Sequence, residues 1–279
     1  MTPGAPTEER VFTDAIRHWW SSRAGSVEGV PSPEGGRNSA HLSGKTMNGF
    51  RDTITKELMA LDVDPDDIFS GGSLSTVPAN LPSYFRASKN WDVIVCKNSR
   101  FKSVSKVANN DATPPQLILA IEFKSQHGSI SNNQNNRIEE SIGSAADFWA
   151  SYENRNFIHL QPRPWLGYLF VGRYDDEELS RGVKIRQPHF LSDEAFRTAS
   201  FDARSTRFEH TGPGYAERYR IFLERMIAKK YYDGACFIAS NERIQHDSVN
   251  YVCPFSELSG SRFIDAMRRH VRAYYPDES

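Results

Sequence analysis

The sequence predicts an α/β protein whose central mixed β-sheet is flanked by helices on both faces. Two observations carry that reading. Three apolar stretches, LILAI (117–121), PWLGYLFVG (164–172) and GACFIAS (234–240), have the continuous hydrophobicity of strands covered on both sides. Segments at helical spacing alternate with them through the second half of the chain, an order that builds a sheet layered between helices.

Taken in order, residues 7–20 read as an amphipathic helix with Thr7 as N-cap and Val11, Ala15 and Trp19 on one face. A Gly/Pro/Ser-rich loop follows and is expected to be mobile. Met47, Phe50, Ile54, Leu58 and Leu61 then form a stripe at helical spacing. Gly44-Lys45-Thr46 at its head invites a phosphate-loop reading, but position 39 is Ser where the first glycine should stand, and no strand precedes it. Residues 63–90 are turn-rich and lead into a strand-like WDVIVCK (91–97). After a polar excursion (98–115), read as a surface arm, comes LILAIEFKSQ (117–126). An asparagine-rich link, SISNNQNNR (129–137), leads into a helix to about residue 152, with Ile138, Ile142, Ala145, Ala146, Trp149 and Tyr152 expected inward. Residues 173–212 are polar and irregular apart from a short strand at VKIRQ; helices near 214–231 and 257–275 enclose GACFIAS. The whole chain, 1–279, is expected to be one domain, with 1–43 an N-terminal helix and loop and 44–275 the core.

Composition narrows the function. With 279 residues, 38% hydrophobic and 25% charged, the chain suits a soluble globular protein. No apolar run approaches the roughly 18 residues of a membrane span, and the N-terminus lacks a signal-peptide core, so no membrane partner and a cytoplasmic location are expected. Three widely spaced cysteines argue against a disulfide framework or a zinc site. The net charge is −1, but Arg86, Lys89, Lys97, Arg100, Lys102 and Lys106 cluster around the two strands at 91–126, while Asp175–Glu178 form an acidic run elsewhere. Such a basic patch would serve a phosphate-tracking cleft or simply protect a solvated strand edge.

The chemistry concentrates in Asp92, Glu122 and Lys124. On a strand, residues two apart share a face, so Glu122 and Lys124 point together. If the strands at 91–97 and 117–126 pair antiparallel, Asp92 meets them at one corner. Two carboxylates and an ammonium converging beside apolar strands are costly unless something divalent or anionic binds there. Two hard oxygen ligands suit Mg²⁺, which draws the rest of its shell from water and phosphate, and this suggests metal-assisted phosphodiester hydrolysis. A Glu-x-Lys on a solvated edge is the alternative. Glu57, at the rim of the 47–61 stripe, is a candidate third acid; a surface role is its default.

Asp92 followed by Glu122-Phe123-Lys124 resembles the Asp…Glu-x-Lys core of the PD-(D/E)xK nucleases. LPSYFRASKNWDVIVCKN, AIEFKSQHGSISNNQNNRIEESIGSAADFWASY, RPWLGYLFV and YDGACFIAS are similar to the XhoI family of type II restriction endonucleases, in the same order from about Gly44 to Val271. Two departures stand out: Trp91 rather than Pro precedes Asp92, and the 98–115 loop is longer than the family's turn. The resemblance implies a restriction-endonuclease-like core and a homodimer cutting double-stranded DNA at a palindrome of the CTCGAG kind, with a cognate methyltransferase as genetic partner. It implies that Asp92, Glu122 and the Phe123 carbonyl hold Mg²⁺, and that Lys124 orients the attacking water and stabilises negative charge. Asn132, Asn133, Gln134, Asn135, Asn136 and Arg137 are candidate DNA contacts, because amides pair with adenine and Arg with guanine in the major groove; a turn-and-cap role is the alternative. Another nuclease role (repair, nicking or cleavage of modified DNA) and a non-catalytic DNA-binding module remain as competing functions.

Overall fold

In the computed structural model the long apolar runs become the inner strands of one sheet, and the order of elements follows from their spacing. The structure describes residues 10–24, 45–75, 79–97, 116–126, 130–174, 182–184, 211–241 and 251–276. Along the chain lie α1 (Thr13–Ala24), α2 (Asn48–Met59), β1 (Ile68–Phe69), β2 (Ala79–Pro82), β3 (Ser88–Trp91), β4 (Val93–Lys97) and β5 (Gln116–Gln126). Then come α3 (Ile130–Glu153), β6 (Trp165–Arg173), β7 (Gly182–Lys184), β8 (Thr211–Gly214), α4 (Tyr215–Ala228), β9 (Gly234–Ser240) and α5 (Gly260–Val271).

The five-stranded sheet has the order β1-β4-β5-β6-β9. β1 and β5 each pair antiparallel with β4, whereas β5, β6 and β9 run parallel, so the sheet is mixed, as the sequence predicts. Alternation along the strands sends Val93, Ile121, Leu169 and Ile238 to one face, against Phe12 just before α1, Ile16 and Trp19 of α1, Phe50, Ile54 and Leu58 of α2, and Phe263 and Met267 of α5. Ile94, Ala120, Tyr168, Phe170 and Phe237 go to the other, against Ala145 and Phe148 of α3 and Tyr219, Phe222 and Leu223 of α4. Fully burying a Val, Leu, Ile, Phe or Met side chain contributes about 1.5–3 kcal/mol, and from Leu117 to Ile121 β5 carries no polar residue.

α1 is tied to distant parts of the chain. The Phe12 N–H donates to the Tyr251 hydroxyl (3.0 Å), and Trp20 Nε1 donates to Ser240 Oγ (2.8 Å). Its close approach to α2 needs Gly49, where a Cβ would lie 2.9 Å from the Ala15 Cα.

Several expectations are corrected. The asparagine-rich run is the opening of α3 rather than a link, because the helix starts at Ile130. Of the residues expected inward, Ala145 is buried and Ile138, Trp149 and Tyr152 pack against the core, but Ile142 is 41% exposed; Gln134, Ser141 and Phe148 join the buried stripe at helical spacing. The turn-rich segment before Trp91 carries a small antiparallel hairpin of β2 and β3. Lys45–Met47 form one 3-10 turn leading into α2. Lys97 lies at the far end of β4, donating to the Tyr274 carbonyl with its ammonium over the Tyr275 ring, so it does not flank Asp92. Thr7, the glycine-rich loop, the 98–115 arm with Arg100, Lys102 and Lys106, and the acidic run lie outside the described residues. Among the described residues, no helix is long and apolar enough to cross a membrane, and the three cysteines are buried and form no disulfide.

Candidate active site

The β4–β5 ladder decides which residues meet. Val93 lies opposite Ile121, and the Asp92 N–H donates to the Ile121 carbonyl (3.0 Å), so Asp92 sits beside the Glu122-Phe123-Lys124 segment. Asp92 Oδ2 accepts from the Phe123 N–H at 2.7 Å, and Oδ1 accepts from Arg51 Nη2 of α2 at 2.6 Å. Asp92 is thus hydrogen-bonded to both chain neighbours of Glu122, Ile121 and Phe123, at the corner expected from strand alternation and antiparallel pairing.

Glu122 is 2% exposed, which excludes the solvated-edge alternative. Its Oε1 takes ammonium groups from Lys89 of β3 (2.7 Å) and Lys124 of β5 (2.9 Å), and the hydroxyl of Ser144 from α3 (3.2 Å). Lys89 also donates to Ser144 Oγ and lies 4.1 Å from the Trp91 ring centroid. The Tyr232 hydroxyl lies 3.2 Å from Glu122 Oε2 and 2.9 Å from the Ser141 carbonyl. β3, β5, α3 and the connection before β9 thus fix one carboxylate.

The protonation equilibria follow from these contacts. Burial would raise Glu122, but the Lys89 and Lys124 ammoniums outweigh it and hold the carboxyl below its ordinary value. Burial dominates at Asp92, which is raised despite Arg51 and the Phe123 N–H. Lys124 is raised, because attraction to Glu122 overcomes its own desolvation, whereas desolvation wins at Lys89 and lowers it. Burial keeps the Tyr232 hydroxyl well above its usual range, so it is a neutral donor.

Asp92, Glu122 and Lys124 line an open cleft of about 780 Å³ together with Lys89, Arg137 and Phe85. Among the described residues no three His, Cys, Asp or Glu side chains gather as a metal cage. The donors present are two carboxylates beside a strand carbonyl, all hard oxygens. That set fits a divalent ion that keeps several waters and takes further oxygens from a phosphate.

Arg51, from α2, is the cation that carries no local signal in the sequence. Lys89 is expected from sequence only as one of several cations near the site, and the structure makes it a direct partner of Glu122. Glu57 does not reach the corner, because Arg268 of α5 takes its carboxylate (Nε to Oε2, 3.0 Å). Gln134 is fully buried, with its amide donating to the Tyr215 carbonyl (2.6 Å), so it faces the core rather than a groove. Asn133, Asn135 and Asn136 are exposed on the first turns of α3, with Asn135 Oδ1 accepting from Arg218 (3.1 Å). Arg137 pairs with Glu140 (2.8 Å) at the cleft wall. Asn132 is in α3, but its side chain lies outside the described residues.

The family model for restriction endonuclease XhoI matches residues 28–251. The type II restriction enzyme BstVI of Geobacillus stearothermophilus is 32% identical over 237 residues, 85% of this chain and 91% of that protein. AbrI of Azospirillum brasilense is 31% identical over 65% of this chain and 73% of its own length, and XhoI of Xanthomonas vasicola is 27% identical over 80% and 77%; both are named type II restriction enzymes. No solved structure matches the chain significantly.

Proposed function

The chain belongs to the XhoI family of restriction endonucleases, and from that premise we propose that it is a type II enzyme that hydrolyses double-stranded DNA at a short palindrome of the CTCGAG kind. Mg²⁺ is the proposed cofactor, and the products are a 5′-phosphate and a 3′-hydroxyl. The observation that carries the reading is the Asp92 Oδ2 to Phe123 N–H hydrogen bond of 2.7 Å, which sets two acids side by side with Lys124 next to them.

In this reading Asp92, Glu122 and the Phe123 carbonyl hold the ion. Once bound, it would polarise the scissile phosphate and lower the pKa of the attacking water. The residues of the chain do the rest. Lys124, kept protonated by Glu122, orients that water and stabilises charge developing on the phosphate. Lys89, Ser144 and Tyr232 fix the Glu122 carboxylate, so little reorganisation accompanies reaction. Arg51 holds the second oxygen of Asp92.

Charge counting favours a polyanionic substrate. Asp92 and Glu122 face Arg51, Lys89 and Lys124, two negative charges against three positive. A divalent ion would take the corner from +1 to +3, a strong local field for phosphate. Asn132, Asn133, Asn135, Asn136 and Arg137 are the proposed base-edge contacts. A homodimer would match its two-fold axis to the palindrome, and a cognate DNA methyltransferase would protect the host site.

Digesting a plasmid of known sequence with the purified protein and magnesium, then mapping the ends, tests the proposal. Cuts confined to one palindrome are expected. Asp92→Ala and Glu122→Ala should abolish cutting while DNA binding survives; full activity in either variant would remove the site assignment.

A further inference from the structure

A pair of aromatic side chains at the mouth of the cleft has no role in the chemistry above. Phe85 is 73% exposed and Tyr84 52% exposed, on the five-residue connection (83–87) between β2 and β3. The rings meet edge to face, with centroids 4.9 Å apart at 87°. Large apolar side chains scattered singly over a surface need no explanation. These two adjoin each other, and their backbone is held by a carboxylate that is itself buried.

Asp147 of α3 is 3% exposed. Its Oδ1 accepts the N–H groups of Tyr84 and Phe85, both at 2.8 Å. Its Oδ2 accepts Nε and Nη2 of Arg86, at 2.9 and 2.7 Å. A buried acid thus makes four hydrogen bonds to keep two rings in water and one guanidinium beside them. That is preorganisation for a surface that is to be covered. Phe85, Arg86 and Asp147 line the same cleft as Asp92, Glu122 and Lys124.

We propose that Phe85, backed by Tyr84, is an aromatic wedge that seats against the base pairs flanking the scissile phosphate when duplex DNA fills the cleft. The inference rests on the nuclease reading of that cleft. Duplex DNA is the occupant because Phe85 lines one continuous cleft with the acidic corner. The four cations of that lining, Arg86, Lys89, Lys124 and Arg137, are balanced by Asp92, Glu122, Glu140 and Asp147, and a divalent ion bound at the corner would tip the cleft to positive and draw a phosphate backbone in beside the ring. Apolar side chains pressed between base steps partly unstack them and bend the duplex, which brings the backbone closer to the protein. The Asp147 anchor gives the ring a fixed position relative to the metal corner, so the wedge also sets which phosphate reaches it.

The test uses the full-length protein and a short duplex carrying the mapped site, with 2-aminopurine next to the cut. Phe85→Ala should lower kcat/KM about tenfold or more, since aromatic contact with a base has that worth. The fluorescence rise that reports unstacking before cleavage should be lost with it. Phe85→Trp should restore both. The ring is exposed, so the thermal melt of Phe85→Ala should match wild type. Wild-type kcat/KM in Phe85→Ala would overturn the wedge. So would a defect that sedimentation traces wholly to lost self-association, because the rings would then be a protein contact. A wild-type protein that cuts no DNA would instead overturn the nuclease reading, and the wedge with it.

Discussion

At the scale of single residues, the two lysines on Glu122 Oε1 have separable jobs. Lys124 shares the Glu122 face of β5, whereas Lys89 arrives from β3 and is also tied to Ser144 and the Trp91 ring. Lys124→Ala is expected to lower the cleavage rate by about 10²–10³, the cost of removing one positioned donor from a developing charge, with little loss of stability. Lys89→Ala leaves a buried carboxylate short of one partner and should cost about 1–3 kcal/mol of folding stability as well as activity. Urea midpoints and single-turnover rates for both variants check the division; equal stability losses would show that the ammoniums are interchangeable. Asp92, Glu122 and Lys124 were legible because strand alternation and antiparallel pairing are local rules with period two. Arg51 was not, and Lys89 was legible only as a cation near the site, because no periodicity within α2 or β3 says which side chain will reach across to another element's carboxylate.

Among the elements, α3 departs most from its sequence. Asn and Gln are indifferent helix formers, so a run from Asn132 to Asn136 reads as a link. Tertiary packing overrides that preference: Gln134 falls on the stripe of Ser141, Ala145 and Phe148, and burying it extends the helix to Ile130. The same helix supplies Ser144 to Glu122 and Asp147 to the aromatic connection, so its placement fixes the acidic corner and the Tyr84–Phe85 pair relative to each other. Asp147 also gives a pH prediction. Burial would raise its carboxyl, but the Phe85 and Tyr84 N–H groups and Arg86 hold it below the ordinary value. A depressed carboxyl stabilises the fold fully above its unfolded value, about 3.9, and loses that contribution as pH falls through the folded value. The stability gap between wild type and Asp147→Asn should therefore be constant from pH 7 to about 5 and close below about 4. A gap that closes near neutrality would mean another group carries it. Within the sheet, Trp165 lies across Gly167 and Gly234, where any Cβ would run into its ring. Gly167→Ala should destabilise by about 1–3 kcal/mol through overpacking, read as a lowered urea midpoint.

Over the whole molecule, the helices and sheet faces were legible because buried stripes are long and strictly periodic, whereas the docking of α1 against residues more than 200 positions away was not. That long-range assembly bears on how the acids are tolerated. Sequence reasoning held that two buried carboxylates at the β4–β5 corner would need a divalent ion or an anion to offset their desolvation. Arg51 from α2, Lys89 from β3 and Lys124 from β5 supply that offset within the chain, and the hydroxyls of Ser144, at Glu122 Oε1, and Tyr232, at Oε2, add to it. The protein should consequently fold without metal. In a chelator, thermal unfolding should remain a single cooperative transition, while cleavage is lost. Magnesium should raise the transition by mass action, by about 2.7 kcal/mol of stability at a hundredfold excess over its Kd. Glu122→Gln should lose that increment, since one of the two anionic ligands is gone. Unfolding on chelation would show that the three cations do not compensate the acids. A wild-type melt indifferent to magnesium at every concentration would show that Asp92 and Glu122 hold no ion, and the hydrolytic reading of the corner would fall with them.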